Sequence, residues 1–335
     1  MTLKKDLNNK IVLSKIDKKI LCILEKDART AITSIAKQMH ISRSIAEYHL
    51  RKLEEKKIIK GYFCLLDPSQ FGLTVWKLWL STRFESNFAR EIFFLDLESD
   101  QRIWWYAECV GKFDVVLCIL AKTPHMCNQF VIELQKKYGK NIQNSDLLIN
   151  VSFEYFTRGF LMGKSSTRIE HIFQQDPVEK KISSDERKLL YLLGKNSRAS
   201  LIEIARTLHK NVKTIKNNIL HLKKDGIILY FRPALDLTIV GYEFYKVLLY
   251  LHNGGIATKS IATFCENEQN VTAVISCVGP WQVELEVEVA SYRDLSLLLK
   301  KLRDIFPQII KSYETLLVVR EGKYNLDLAN KMDFI

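Results

Sequence analysis

Apolar positions along this chain change period in a fixed order, and the order occurs twice. Ile16, Ile20, Ile23 and Leu24 recur at i, i+4, i+7 and i+8, one face of a helix. Ile32, Ile35, Ala36 and Met39 mark a second, shorter helix. Ser42, a good N-cap residue, opens a third that buries Ala46, Leu50 and Leu53. The stretch "IIKGYFCLLD" then predicts two short strands, a wing. Three helices of this size and a wing make a winged helix-turn-helix. Behind it the pattern becomes β-α-β-β-α-β, with strands near 74–84, 102–110, 113–122 and 143–156 and helices near 87–98 and 124–139. That order is the ferredoxin-like motif.

The second copy starts at Asp185, where "DERKLLYLLGKNSRAS" repeats "DKKILCILEKDART" of Asp17 with one inserted residue. The offset then settles at 169, so that Ile35-Ala36 falls on Ile204-Ala205, Leu53 on Leu222, Asp67 on Asp236 and Gly72 on Gly241. After a one-residue deletion the offset is 168, and Gly111 falls on Gly279. The chain therefore divides into winged helix-turn-helix 1 (14–66), an αβ domain (71–158), a polar join (159–182), winged helix-turn-helix 2 (183–235) and a second αβ domain (240–322). The fold class is α+β: tandem winged helix-turn-helix and ferredoxin-like βαββαβ domains, repeated twice.

The repetition is clearest at "ECVGKFDVVLCI" (Glu108 to Ile119) and "SCVGPWQVELEV" (Ser276 to Val287). Side chains alternate across a strand. Val115, Leu117 and Ile119 match Val283, Leu285 and Val287 on one face. On the other, Val116, Cys118 and Leu120 stand opposite Glu284, Glu286 and Glu288. One copy is apolar on both faces and the other acidic on one. The glutamates are expected to face solvent or to meet basic groups such as Lys77 or Lys246.

Composition narrows the function. The 335 residues carry a net charge of +12, which favours a polyanion, nucleic acid before membrane. No run approaches 18 consecutive apolar residues, so no membrane span is expected. Met1 to Lys15 has no apolar core of the kind a secretory signal needs. Seven Cys without a CxxC pair indicate buried, reduced thiols in a cytoplasmic protein rather than a disulfide frame or zinc. There is no GxxxxGK[ST], no GxSxG and no His pair at metal spacing, so neither metal nor cofactor is expected.

A helix-turn-helix lays its second helix in the major groove. With 46, 50 and 53 hidden, the third helix of copy one offers Arg43, Ser44, Glu47, Tyr48 and Arg51. Arg43 suits guanine O6/N7 and Glu47 cytosine N4. Ser42, Ser44, Tyr48 and Arg51 suit phosphates. The matching helix of copy two begins at Asn211 and buries Ile215, Ile219 and Leu222, leaving Lys213, Lys216 and Asn217 free. Lysines suit guanine or phosphate, and Asn217 suits adenine. Double-stranded DNA is the expected partner, read by two chemically unlike helices.

These residues resemble a known family. Asp17, Asp27-Ala28-Arg29, Ile35-Ala36, Ser42-Arg43-Ser44, Leu53-Glu54, Ile58-Ile59-x-Gly61-Tyr62 and Leu66-Asp67-Pro68 with Gly72 look like the amino-terminal half of Lrp/AsnC (leucine-responsive, feast/famine) regulators. The βαββαβ segment with "GKFD" looks like that family's effector-binding and assembly domain, the RAM domain. The resemblance covers 16–158 well and 184–320 more loosely. It implies a transcription regulator whose RAM domains pair through their sheets, here within one chain, with a homo-oligomer as a further level. It also implies an amino acid or similar effector near Gly111, Lys112, Phe113 and Asp114. Asp114 would accept from a ligand's ammonium or else simply cap its turn, and Gln282 replaces it in copy two. Lys57 stands where the family often has a helix-ending Gly, which Gly226 keeps.

Sirohaem decarboxylases share this architecture and give the alternative reading, a fused enzyme. They would need a haem-sized pocket and His, Arg or Tyr residues around the second and third strands. Here those strands read "RIWWYAECV", without His, and "DVVLCILA". A third alternative is an assembly scaffold without a DNA role.

Overall fold

The computed structural model describes residues 11–164, 168–173, 176–252 and 257–323. Residues 1–10 of the amino terminus, expected above to carry no secretory signal, lie outside them. The front of copy one is α1 (Lys15–Lys26), α2 (Ile32–Met39), α3 (Arg43–Glu55) and strand β1 (Ile59–Leu66). Its back is β2 (Thr74–Thr82), α4 (Asn87–Ser99), β3 (Ile103–Val110), β4 (Val115–Ala121), α5 (Pro124–Tyr138) and β5 (Ile142–Phe156). The join contains β6 (Arg168–Phe173), paired with β5. Copy two follows with α6 (Ser184–Lys195), α7 (Leu201–Thr207), α8 (Val212–Lys224) and β7 (Ile228–Leu235). Its back is β8 (Glu243–Leu251), α9 (Thr258–Glu266), β9 (Val271–Val278), β10 (Val283–Val289), α10 (Tyr292–Ile305) and β11 (Ile310–Gly322).

One expectation needs correction. Each front segment contributes a single strand, not a two-stranded wing, and β1 pairs antiparallel with β7. The reason is local. A hairpin needs a turn such as Asn-Gly, and Gly61 is not among the residues with positive φ, so the eight residues run on as one strand. Their backbone groups must then find a partner elsewhere, and the other copy supplies it.

The pairing is symmetric in sequence. Phe63 sits opposite Arg232, its own equivalent, so a pseudo-two-fold axis passes through that pair. Reciprocal contacts surround it. Ala28 N donates to Phe231 O at 2.9 Å and Ser197 N to Tyr62 O at 3.0 Å. The Arg29 guanidinium donates to Ser197 O, and Arg198 to Ala28 O. Each helical front thus rests on the other copy's strand, and Leu235 and Leu237 of copy two belong to the core built around Ile20, Leu24 and Leu53 of copy one.

The backs join in the same way. The strands run in the order β2-β4-β3-β11-β8-β10-β9-β5, and β5 also pairs with β2, which closes a ring of eight. The two seams between copies are β3 with β11 and β5 with β9. Outside the ring, Val115, Leu117 and Ile119 pack with Phe93 and Leu134, and Val283, Leu285 and Val287 with Ile261 and Leu299. Inside, Trp79, Phe113 and Trp281 pack with ring centroids 5.6–5.9 Å apart.

The repeated Cys-Val-Gly now has a cause. A Cβ on Gly279 would stand 2.5 Å from Leu148 Cβ, and one on Gly111 3.0 Å from Thr315 O, where φ is already +151°. Each glycine lies where its turn crosses a strand of the other copy, and only a residue without Cβ lets the backbones approach that closely.

Candidate nucleic-acid interface

Both reading helices present their outer faces to solvent. His40 and His209, the equivalent residues that end α2 and follow α7, take left-handed conformations (φ 54° and 52°) and turn the chain sharply into α3 and α8. Ser42 caps α3, its Oγ accepting from Ile45 N at 3.2 Å and lying 2.9 Å from Ser44 Oγ. Arg43, Ser44, Tyr48 and Arg51 are exposed, and Glu47 is half-buried. Arg43 Nε donates to Glu47 Oε1 at 2.7 Å. The two residues assigned to different bases are therefore engaged with each other in the free protein. On α8, Asn211 accepts from Thr214 N at 2.7 Å and so acts as the N-cap. Lys213, Lys216 and Asn217 are exposed.

What fixes α3 was not legible in the pattern. His49 Nδ1 lies 2.7 Å from Asp17 Oδ1, which ties α3 to the first turn of α1. Asp17 also completes a capping box with Ser14. Burial pushes the Asp17 carboxyl up, but His49, Ser14 and Lys52 more than offset this and hold it below its ordinary value.

The turn expected to hold an effector is also tied into the barrel. Phe113 is fully buried between Trp79 and Trp281. Asp114 Oδ2 accepts from Thr82 N at 2.5 Å, the capping role. Lys112 Nζ donates to Tyr250 OH at 3.0 Å, bridging the copies. Gly111 and Lys112 are exposed.

At the other end of the barrel, below β1 and β7, lies a cavity of about 130 Å³ among charged and aromatic side chains that include Trp105, Tyr155, Arg232 and Phe244. The three glutamates of β10 point into the barrel, Glu286 and Glu288 lining this cavity, and all three have cationic partners. Glu284 pairs with Lys77, and Glu286 with Lys246. Glu288 holds Arg158 through two contacts of 2.7 Å. Arg158 continues to Glu25 of α1 at 2.6 Å, and Glu25 accepts from Arg232 of β7 at 3.2 Å. Of the expected lysine partners, both are confirmed; Arg158, Glu25 and Arg232 were missed, because nothing in local spacing links residues that lie more than a hundred positions apart. Burial pushes the Glu286 carboxyl up, but Lys246, Lys77 and Arg158 together outweigh it and the group stays below its ordinary value.

Two helix-turn-helix units side by side, each with an exposed, polar reading helix, define a DNA-binding protein. A model for winged helix-turn-helix DNA-binding domains matches residues 13–60 and 186–228, one match in each copy. An uncharacterized HTH-type transcriptional regulator of Pyrococcus abyssi is 26% identical over 145 residues, 43% of this chain and 97% of that relative. One copy thus spans a whole relative. The HTH-type transcriptional regulator LrpA of Pyrococcus horikoshii is 46% identical over 59 residues, 18% of this chain and less than half of LrpA, 42%. The chain is thus similar to HTH-type transcriptional regulators, LrpA among them, through the winged helix-turn-helix that it carries twice. Its whole architecture is similar to the crystal structure of the siroheme decarboxylase NirDL, with a TM-score of 0.59 over 96% of this chain and 99% of that one, at 11% identity. That likeness shows the shared fold alone.

Proposed function

We propose that one chain does the work of a dimer, reading two unlike half-sites of double-stranded DNA with α3 and α8. The observation that carries this reading is the pairing of β1 with β7 through Phe63 and Arg232, with the reciprocal clasp of Arg29 and Arg198 beside it. It relates the two reading helices by a pseudo-two-fold axis, as a near-palindromic operator requires. Arg43 and Glu47 read one half-site, with Ser42, Ser44, Tyr48 and Arg51 on phosphates. Lys213, Lys216 and Asn217 read the other, and Asn211 sets the start of its helix. Because the Arg43–Glu47 pair already exists, reading guanine with Arg43 requires the arginine to leave or share its glutamate.

Selection of bound sequences from a random pool tests this. The expected consensus is an imperfect palindrome whose centres lie one helical turn, or a multiple, apart; a perfectly symmetric consensus overturns the reading. Arg43→Ala should cost about 1–3 kcal/mol of binding and relax preference at one position, and Lys213→Ala should do so in the other half-site. Affinity should fall steeply as salt rises. A scaffold with no DNA role predicts no binding even at low salt. An amino-acid-like effector would approach the turn at Gly111 and Lys112 from outside, since Phe113 and Asp114 are committed inward. Repeating the selection with added amino acids tests whether one acts.

The enzyme reading of the same fold finds no support in the cavity. Its volume of about 130 Å³ falls short of the roughly 300–1,000 Å³ typical of small-molecule pockets. Salt bridges fill its floor, and no His lines it. It does not fit a tetrapyrrole.

A further inference from the structure

The charges inside the barrel bear on a question that neither the family nor the DNA reading addresses, namely which half can pair with which. Both copies place a lysine at the same interior position, Lys77 on β2 and Lys246 on β8, each 1% exposed. Only copy two supplies acids to the matching β4/β10 position: Glu284, Glu286 and Glu288 are buried, where copy one has Val116, Cys118 and Leu120. Two of the ion pairs cross from copy to copy, Lys77 to Glu284 and Arg158 to Glu288. A third element lies on the axis, where Arg232 of copy two sits opposite Phe63 of copy one and reaches Glu25, also of copy one.

We propose that this charge set makes the two halves obligate unlike partners, so that a barrel forms from one copy of each kind and from no other combination. A barrel of two first copies would bury two Lys77 side chains against Val116, Cys118 and Leu120, with no β4 carboxylate to meet them. A barrel of two second copies would bury six β10 glutamates against two Lys246. It would also set Arg232 directly opposite Arg232 on the wing strands, without Glu25, whose equivalent is Gly194. An uncompensated buried charge is far more costly than a well-paired one, and like charges directly opposite on paired strands repel. The unlike barrel neutralises each of these groups. Packing agrees with charge. The barrel end is filled by Trp79 and Phe113 from copy one against Trp281 and Leu248 from copy two, a large and small arrangement that neither like pair reproduces. The partner this surface fits is therefore a second half of opposite kind, and two of these chains would not join through their barrels like with like.

The test uses the full chain, folded intact and then cut at a specific protease site placed in the join between the copies. An isotopically labelled preparation and an unlabelled one are cut, mixed, separated into halves in urea, refolded together by dilution and weighed as intact complexes by native mass spectrometry. The expected complexes hold one amino-terminal and one carboxy-terminal half, labelled or not, in at least about a hundredfold excess over like pairs, a ratio that uncompensated buried charges readily supply. Like pairs in comparable amount, or halves that drift apart as separate species, overturn the proposal. The same experiment on Glu284→Gln/Glu286→Gln/Glu288→Gln assigns the cause. Pairs of second halves should now appear. If that variant folds and still forms only unlike pairs, the glutamates do not set the choice. The wild-type measurement decides the pairing rule even where the triple variant does not fold, and it is independent of whether the chain binds DNA.

Discussion

Strands β4 and β10 occupy the same place in the two halves and have diverged on one face only. Toward the helices both carry Val, Leu and Ile or Val at matching positions, because α4 and α5 on one side and α9 and α10 on the other press on them alike. Toward the barrel one carries Val116, Cys118 and Leu120 and the other Glu284, Glu286 and Glu288. The difference shows which constraint is local and which is shared. A helix-facing position answers to its own copy and must stay apolar. A barrel-facing position answers to the sum of both copies, so three acids are tolerated in one strand when Lys77, Lys246 and Arg158 neutralise them. The halves have stopped being interchangeable without losing the symmetry of their backbones.

The hardest way to break this comparison is to remove one charge. Lys77→Leu leaves Glu284, which is 0% exposed, without its cation and should cost about 3–5 kcal/mol in urea unfolding, whereas Lys77→Leu with Glu284→Leu should be near neutral. Additive losses in the double variant would show that the pair acts only as packing. Next comes the seam itself. Gly279→Ala forces a Cβ against Leu148 and should cost about 1–3 kcal/mol. Gly61→Ala, with nothing within 4 Å of the new Cβ, should cost much less.

The pH profile sharpens the comparison, because two buried carboxyls act with opposite sign. Glu286 is held below its ordinary value of 4.5. The stability it contributes is present above that value and is lost as the pH falls through its lower folded value. Glu321, which accepts from Trp105 Nε1 at 3.1 Å across the seam, is pushed up to about 7 by burial and by the nearby Glu286. A raised carboxyl contributes stability that is full below about 4.5 and fades as the pH rises through about 7. Glu321→Gln should therefore flatten the neutral side of a plot of stability against pH and leave the acid side unchanged. A profile with the same neutral slope in both proteins would remove Glu321 from the account. The smallest effect is local. Lys57 takes φ +58° where its equivalent Gly226 takes +72°. Lys57→Gly should gain a few tenths of a kcal/mol to about 1, and Gly226→Ala should lose a similar amount. Equal tolerance at both sites would mean that the lysine finds compensation elsewhere.

Much of this molecule was legible because periodicity is a local property. The spacing of Ile20 and Leu24, the cap at Ser42 and the alternation of "VELEVEV" each follow from a few neighbouring residues, so the helices, strands and their double occurrence could be read directly. The inward turn of the β10 glutamates could be framed as a choice between solvent and lysine, but no local rule could make that choice. It depended on closing the barrel, which brings Lys77 to Glu284 across 207 residues of chain. The wing failed as a local reading for the same reason. The sequence determined that Ile59–Leu66 would be extended, and only the tertiary structure decided that its partner is Ile228–Leu235. The roles of Arg29, Arg158 and Arg232 are likewise relations between distant segments. Backbone conformation is set by near neighbours, whereas the pairing of edges and charges is set by whatever the fold brings within reach.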